Sequence, residues 1–395
     1  MHAVRFLHKI LLRSCPSIHL GRLEALLIAV GAVLRGRRLS IAGVGRALPS
    51  GAKAKHRIKR IDRLAANVHL ALERLSLYRS MAQLLIGTRP RPLILVDWSE
   101  ARYDRSLQLL RASIVVDGRS ITLYEEVHPL HLFDNRAVRE RFLAHLRDCL
   151  PAACRPILIT DAGFRVSWYQ QVEAMGWDWI ARVRGRALYQ TRSSDEWLPV
   201  SSLYPGARTK PSFFGEILLT RNGKHPCQLY RVRSRKQGRT DVTIYGERRK
   251  DGRSLKCAHR HTEPWLLATS LRGKNAAQIC KLYRYRSQIE GTFRDMKNAQ
   301  WGFQLSAHRT RSSERLAVLV LLGTLAAFAA YLTGLAGAAM NLQREYQANT
   351  SKRRVLSYIY LGLELLRDGD RRISPARIRE ALPELIRRIA AAEVD

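Results

Sequence analysis

Acid is what this sequence is short of. Its 395 residues carry 33 Asp and Glu against 68 Lys and Arg, a formal net charge of +35. Such a surplus points to a polyanionic partner, nucleic acid before an anionic membrane surface. Cysteine is scarce as well. There are six, at positions 15, 149, 154, 227, 257 and 280, and no two form a Cys-x-x-Cys pair. That argues against a disulfide framework and implies a reducing cytosol. "CAHRH" sets Cys257, His259 and His261 together as half of a zinc site. No second ligand pair follows at zinc-finger spacing, so no structural zinc is expected. Internal repeats and low-complexity segments are missing. The first residues, "MHAVRFLHKILLRSCPSIHL", hold no apolar run followed by a small-residue cleavage site, so no signal peptide is read. Long uncharged runs are missing too, with one exception at residues 316–340, "LAVLVLLGTLAAFAAYLTGLAGAAM". It is long enough to span a bilayer at about 1.5 Å per residue. Its Ala and Gly content and its surroundings fit a buried central helix better, and no membrane partner is expected. What remains is ordinary for a globular chain of two or three domains, 46% hydrophobic and 26% charged.

The patterning changes along the chain. Residues 1–88 are helical, and "LSIAGVGRALPSGAKAKHRIKRIDRLAANVHLAL" reads as two helices and a turn. Ser40 caps the first, and Pro49, Ser50 and Gly51 make the break. The second carries Lys53, Lys55, Arg57, Lys59, Arg60 and Arg63, with Ile58, Ile61 and Leu64 on the buried side. This is a helix-turn-helix arrangement for a DNA groove, although a solvated basic helix has the same pattern. After "RPRP" the pattern turns to strands. "LILVD" ends in Asp97, a hairpin turns at Asp117-Gly118, residues 135–150 form an amphipathic helix, and "PILITDAGF" brings a strand to Asp161. A helix over 164–175 and the strand "WDWIARVRG" follow. The order predicts an α/β core, a mixed sheet with helices on both faces, over residues 89–184 and 264–345. Residues 185–263 read as an inserted β-rich subdomain with a hairpin at Asn222-Gly223. Residues 346–395 read as C-terminal helices.

Two carboxylates at the ends of apolar strands are unusual, because burial disfavours the ionised form. One such Asp is commonly a turn or cap residue. Two in one sheet would converge if their strands are neighbours, and their repulsion is offset by a hard divalent cation. Glu290 is a third candidate ligand. Residues 275–297 are expected to form one helix with Leu282, Tyr285, Ile289, Phe293 and Met296 as its core stripe. Tyr283, Arg286, Glu290, Arg294 and Lys297 then share a second stripe. Arg286–Glu290 and Glu290–Arg294 also satisfy the spacing of helix salt bridges, worth about 0.2–0.5 kcal/mol each. Pattern alone leaves both readings open.

Here the residues resemble a known family. Asp97, Asp161 and Glu290 resemble the acidic triad of the DDE transposases, whose core is RNase H-like. Tyr283, Arg286, Glu290 and Lys297 match the signature Y-x2-R-x3-E-x6-K of one branch of bacterial insertion-sequence transposases at every step. "VDWSE", "RSLQLLRAS", "QIEGTFRD" and "VLSYIYLGLELLR" are similar to segments of that branch, in the same order. The resemblance implies that the triad holds two Mg²⁺ or Mn²⁺ ions for DNA cleavage and strand transfer. It implies that Tyr283, Arg286 and Lys297 contact phosphates at the element's end, with Arg294 beside them. Trp265 resembles the ring on which a flipped base stacks, and it fits a buried strand Trp equally well. The implied partners are double-stranded DNA, both the terminal inverted repeats and the target, and a second copy of the chain. The implied location is the bacterial cytoplasm at the nucleoid. A DNA-binding regulator without chemistry, and an RNase H-fold nuclease without strand transfer, are the alternatives. One departure is Gly291, where relatives carry a second Glu. Gly inside a helix costs about 0.5–1 kcal/mol relative to Ala, so local softness is expected there.

Overall fold

The structure is a computed structural model that describes residues 1–233, 247, 251–252, 263–369 and 372–392. Cys257, His259 and His261 lie outside the described residues. The chain divides into two units, Met1–Cys154 with Ser287–Glu393, and Arg155–Arg286.

Unit 1 opens with α1 (His2–Ser14), α2 (Leu20–Gly36), α3 (Ile41–Arg46), α4 (Ala54–Ala65) and α5 (Val68–Ile86). The predicted cap is present: Ser40 Oγ accepts the Gly43 N–H at 3.1 Å. The helices α3 and α4 touch closely, since a Cβ on Gly45 would lie 2.5 Å from Ile58 Cα. Then come β1 (Leu93–Glu100), β2 (Leu107–Val115), β3 (Ser120–Pro129) and α6 (Arg136–Cys149). The three strands form an antiparallel meander, β1 against β2 and β2 against β3. Neighbouring residues of β3 point to opposite faces. Glu126 turns toward α6, accepting Tyr124 Oη at 2.7 Å and His145 Nδ1 at 2.9 Å. Glu125 turns the other way, onto Arg111 Nε at 2.7 Å and Tyr78 Oη at 2.9 Å. Both carboxylates are nearly fully buried, and each is tied by several hydrogen bonds, which is what a buried charge requires.

Unit 2 contains β4 (Ile157–Thr160), α7 (Val166–Ala174), β5 (Asp178–Val183), β6 (Leu188–Thr191), β7 (Leu198–Pro199), β8 (Ser212–Leu219), β9 (His225–Val232), β10 (Trp265–Thr269) and α8 (Ala276–Arg284). Its sheet runs β4-β5-β10-β9-β8-β6-β7. The β4–β5 pair is parallel, as a strand–helix–strand crossover requires, and the other pairs are antiparallel. This mixed sheet is covered on both faces. Tyr169 of α7 stacks on Trp179 with centroids 4.0 Å apart, and Tyr283 of α8 meets Trp265 on the other side. The described strands of residues 185–263 extend the sheet through β9–β10, rather than closing a sheet of their own.

Unit 1 resumes with α9 (Ser287–Lys297), α10 (Ser313–Ala339), α11 (Tyr358–Arg367) and α12 (Pro375–Ala390). The helix α10 is the long apolar run. It is long and apolar enough to cross a membrane, yet 94% of its most apolar window is buried inside the protein. It packs against α2, α5, α11, α12 and β3. Its small residues explain how. A Cβ on Gly334 would fall 1.8 Å from Tyr358 O, and one on Gly362 would fall 1.9 Å from Ala330 O. The backbones of α10 and α11 therefore meet directly, and the Ala and Gly content serves helix packing.

Candidate active site

Asp97 lies within β1 and not at its end as expected, since the strand continues to Glu100 in register with β2, but it is where β1 leaves the core. Residues 93–96 are buried and Asp97 is half-exposed, so its carboxylate avoids the full desolvation cost of the strand interior. Its antiparallel partner is Arg111, and directly opposed residues share a face. Arg111 is fully buried and lies 4.8 Å from the centre of the Phe293 ring on α9. Ser99, two residues beyond Asp97 and on the same face, accepts a hydrogen bond from Lys297 Nζ at 2.7 Å. Burial pulls the Lys297 ammonium below the usual lysine range; Glu100 and Asp97 resist that fall and Arg111 adds to it. Glu290 is exposed on α9, while Ile289, Phe293 and Met296 are buried as the periodicity predicts. The helix packs across β1 and β3. Unit 1 thus brings Asp97, the helix of Glu290 and Lys297 to one face of one meander.

Asp161 is in unit 2, directly after β4. Its Oδ1 accepts the Gly163 N–H at 2.7 Å, which fixes the carboxylate in the turn. A Cβ at position 163 would come within 2.9 Å of that oxygen, so a side chain there would push the Asp161 carboxylate from this position. Trp265 is half-exposed at the start of β10, and its ring meets Tyr283 edge-on, 5.2 Å between centroids. Tyr283 is buried. Arg286 is half-buried in the connection after α8.

One expectation is corrected here. Residues 275–297 are not one helix, because α8 ends at Arg284 and α9 begins at Ser287. The Tyr285 N–H bonds Leu282 O at 3.2 Å and the Arg286 N–H bonds Tyr283 O at 3.0 Å. Such i→i−3 bonds tighten and close a final helical turn. The stripe predicted through Tyr283, Arg286, Glu290, Arg294 and Lys297 is therefore interrupted at Arg286, which lies between the two helices. The signature is divided, with Tyr283 and Arg286 in unit 2 and Glu290 and Lys297 in unit 1. Ser287 was the available signal, a residue better suited to a helix start than a helix interior.

The residues that sequence reasoning passed over lie on α9 itself. Gln288, Thr292 and Asp295 are buried polar groups, and Arg119 of the β2–β3 turn bonds Asp295 at 2.7 and 3.2 Å. The Arg119 side chain also fills the space over Gly291, where a Cβ would lie 3.1 Å from it. Gly291 therefore makes room for Arg119, which accounts for the glycine that looked out of place. Away from this site, Lys53, Lys55, Lys59, Arg60 and Arg63 are exposed on or beside α4. Arg57 is used differently: its Nη1 donates to Arg46 O and Leu48 O, both at 3.0 Å, bracing the turn after α3.

A family model described as "Transposase DDE domain" matches residues 88–328, more than half of the chain. The chain belongs to the DDE transposase family. No curated protein matches it significantly. The DDE transposase domain spans β1 through the first half of α10, so Asp97, Asp161 and Glu290 all fall inside it. DDE transposases act on DNA and generally use divalent metal ions. Among the described residues, no three His, Cys, Asp or Glu side chains are grouped tightly enough to hold an ion. The donor chemistry fits all the same. Asp97 and Glu290 of unit 1 and Asp161 of unit 2 offer hard carboxylate oxygens, which Mg²⁺ and Mn²⁺ prefer.

Proposed function

We propose that this DDE transposase performs cut-and-paste transposition of an insertion sequence, as in the transposase of the tetracycline-resistance composite transposon, on an RNase H-like core. Asp97, Asp161 and Glu290 would hold two Mg²⁺ or Mn²⁺ ions. When bound, such a pair activates the attacking oxygen and stabilises the leaving one. Water attacks the phosphodiester at the element's end, the P–O3′ bond breaks, and a 3′-hydroxyl is freed. That hydroxyl attacks the facing phosphodiester of the opposite strand, closing a hairpin as the P–O3′ bond to the flanking DNA breaks. Water cleaves the hairpin's new P–O3′ bond and frees the 3′-hydroxyl again, which then attacks a target phosphodiester and displaces the target's own 3′-oxygen.

The chain's own residues give this sequence its geometry. Lys297, tied to Ser99 beside Asp97, neutralises charge at the reacting phosphate. Arg294, exposed on α9, and the half-buried Arg286 hold the phosphates of the terminal repeat, while Tyr283, expected to join them, is buried edge-on against Trp265 and backs that ring. The exposed cations of α4 grip the duplex farther from the chemistry. Trp265 offers a ring for a flipped base, whose unstacking costs a few kcal/mol. A homodimer pairs the two ends, with residues 346–395 contributing to it. The protein works at the nucleoid.

The observation that carries this reading is the joint one. A DDE transposase domain covers three carboxylates, one within β1 where its burial ends, one directly after β4 and one on a helix laid across the Asp97 strand. The test is incubation of purified protein and Mg²⁺ with a fragment bearing the terminal repeats that flank its coding sequence. Hairpin ends and an excised element are expected, and a chelator should remove both while leaving end binding. Nicking without hairpins or joined products would identify a nuclease. Binding with no metal-dependent cleavage would identify a regulator.

A further inference from the structure

The helix α9 is fastened to the β2–β3 hairpin along one line of its surface. Gln288, Gly291, Thr292 and Asp295 recur at three- and four-residue steps and so share a face. Each meets the hairpin connection. Gln288 Oε1 accepts the Val116 N–H at 3.0 Å. Thr292 Oγ1 accepts the Ser120 N–H at 3.1 Å and donates to Ser120 O at 2.9 Å. Asp295 takes Arg119 with both oxygens, and that side chain lies over Gly291. Gln288, Thr292 and Asp295 are all under 10% exposed. The hairpin tip is itself held from elsewhere in unit 1, since Asp117 accepts a hydrogen bond from Arg388 of α12 at 2.8 Å.

Apolar packing alone does not explain this. Ile289, Phe293 and Met296 already bury the other side of α9, and apolar contacts are non-directional. A helix held only by them can turn about its axis at small cost. The polar contacts are directional, and they fall along the whole hairpin connection from Val116 to Ser120. They specify rotation. Glu290 is where rotation matters, because its side chain stands out from the helix. A turn of about 10° moves a group about 6 Å from the axis by about 1 Å. A misplacement of about 1 Å can cost about 100-fold in rate.

We propose that Gln288, Thr292, Asp295 and Arg119 are positioning residues that fix the rotation of α9 and thereby aim Glu290. The proposal rests on the reading of Glu290 as a catalytic carboxylate. Gly291 belongs to the same device, because it lets Arg119 cross the helix surface to Asp295.

The test uses full-length protein, a terminal-repeat fragment and Mg²⁺, with single-turnover cleavage, end binding and melting temperature measured for each variant. Thr292→Val removes the hydroxyl at nearly constant volume, and Arg119→Met removes the guanidinium of a partly exposed pair. Each is expected to slow cleavage by about 10- to 100-fold with end affinity within about twofold of the parent. Thr292→Ser restores the hydroxyl and is expected to restore the rate. Unchanged cleavage in Thr292→Val and Arg119→Met would overturn the proposal. So would a rate loss that follows melting temperature across the set, or one that Thr292→Ser leaves in place. Glu290→Gln separates the two levels. If it cleaves normally, the catalytic reading fails. If it is dead while Thr292→Val and Arg119→Met are fully active, only the positioning role fails.

Discussion

Two helices of unit 1, α4 and α9, read from the sequence as stripes of cations, yet the fold uses them in different ways. On α4 the cations are exposed, and the helix is seated by Ile61, Leu64 and the brace from Arg57. On α9, Lys297 is half-buried and bonded to Ser99, and four positions are engaged by the hairpin. The contrast matches the roles proposed for them. A phosphate backbone is a line of charge that flexible, solvated side chains can meet from many angles. A carboxylate serving a reacting phosphate needs one angle, and only directional contacts supply it.

The comparison breaks most visibly at the carboxylates. Asp97→Asn and Glu290→Gln should each lower strand cleavage by about 10³-fold or more while end binding persists. Gel analysis of cleavage beside a binding titration checks this; full activity of Glu290→Gln would remove α9 from the proposed active site, and full activity of Asp97→Asn would remove β1. Next comes Lys297→Met. It should cost about 100-fold in cleavage, with little change in the salt dependence of binding. A large fall in salt slope would instead make Lys297 equivalent to the cations of α4. The triple change Lys55→Gln, Lys59→Gln and Arg60→Gln should do the reverse. The slope of log affinity against log salt should fall by about 0.9 for each phosphate that is no longer neutralised, and cleavage at saturating protein should hold. The smallest effect concerns Gly291. Gly291→Ala gains up to about 1 kcal/mol of helix propensity, but in the parent it presses on Arg119 at 3.1 Å. A double-mutant cycle by denaturant unfolding should show a larger gain from Gly291→Ala when Arg119 is already Met.

Much of this was legible in the sequence. Asp97 and Asp161 stand at the ends of short apolar runs, and both lie where such strands leave the core. The hairpin at Asp117-Gly118 and the amphipathic helix after Asn135 form where turn chemistry and periodicity put them. The break at Tyr285–Arg286 was only faintly legible, in Ser287, because the apolar stripe runs across it without losing phase. The polar face of α9 was hidden for a different reason. Gln, Thr and Asp on a helix read as solvent-facing, and only the hairpin's unpaired N–H groups and Arg119 turn them inward.

By itself the sequence determined which residues bear charge, where apolar runs end, and that residues 316–340 would seek burial, because those properties are local. Only the tertiary structure decided which cations stay in water and which are held, why residue 291 lacks a side chain, and which backbone groups lock α9. Those outcomes depend on groups more than 170 positions apart, such as Ser120 and Thr292, and no local pattern encodes a partner at that distance.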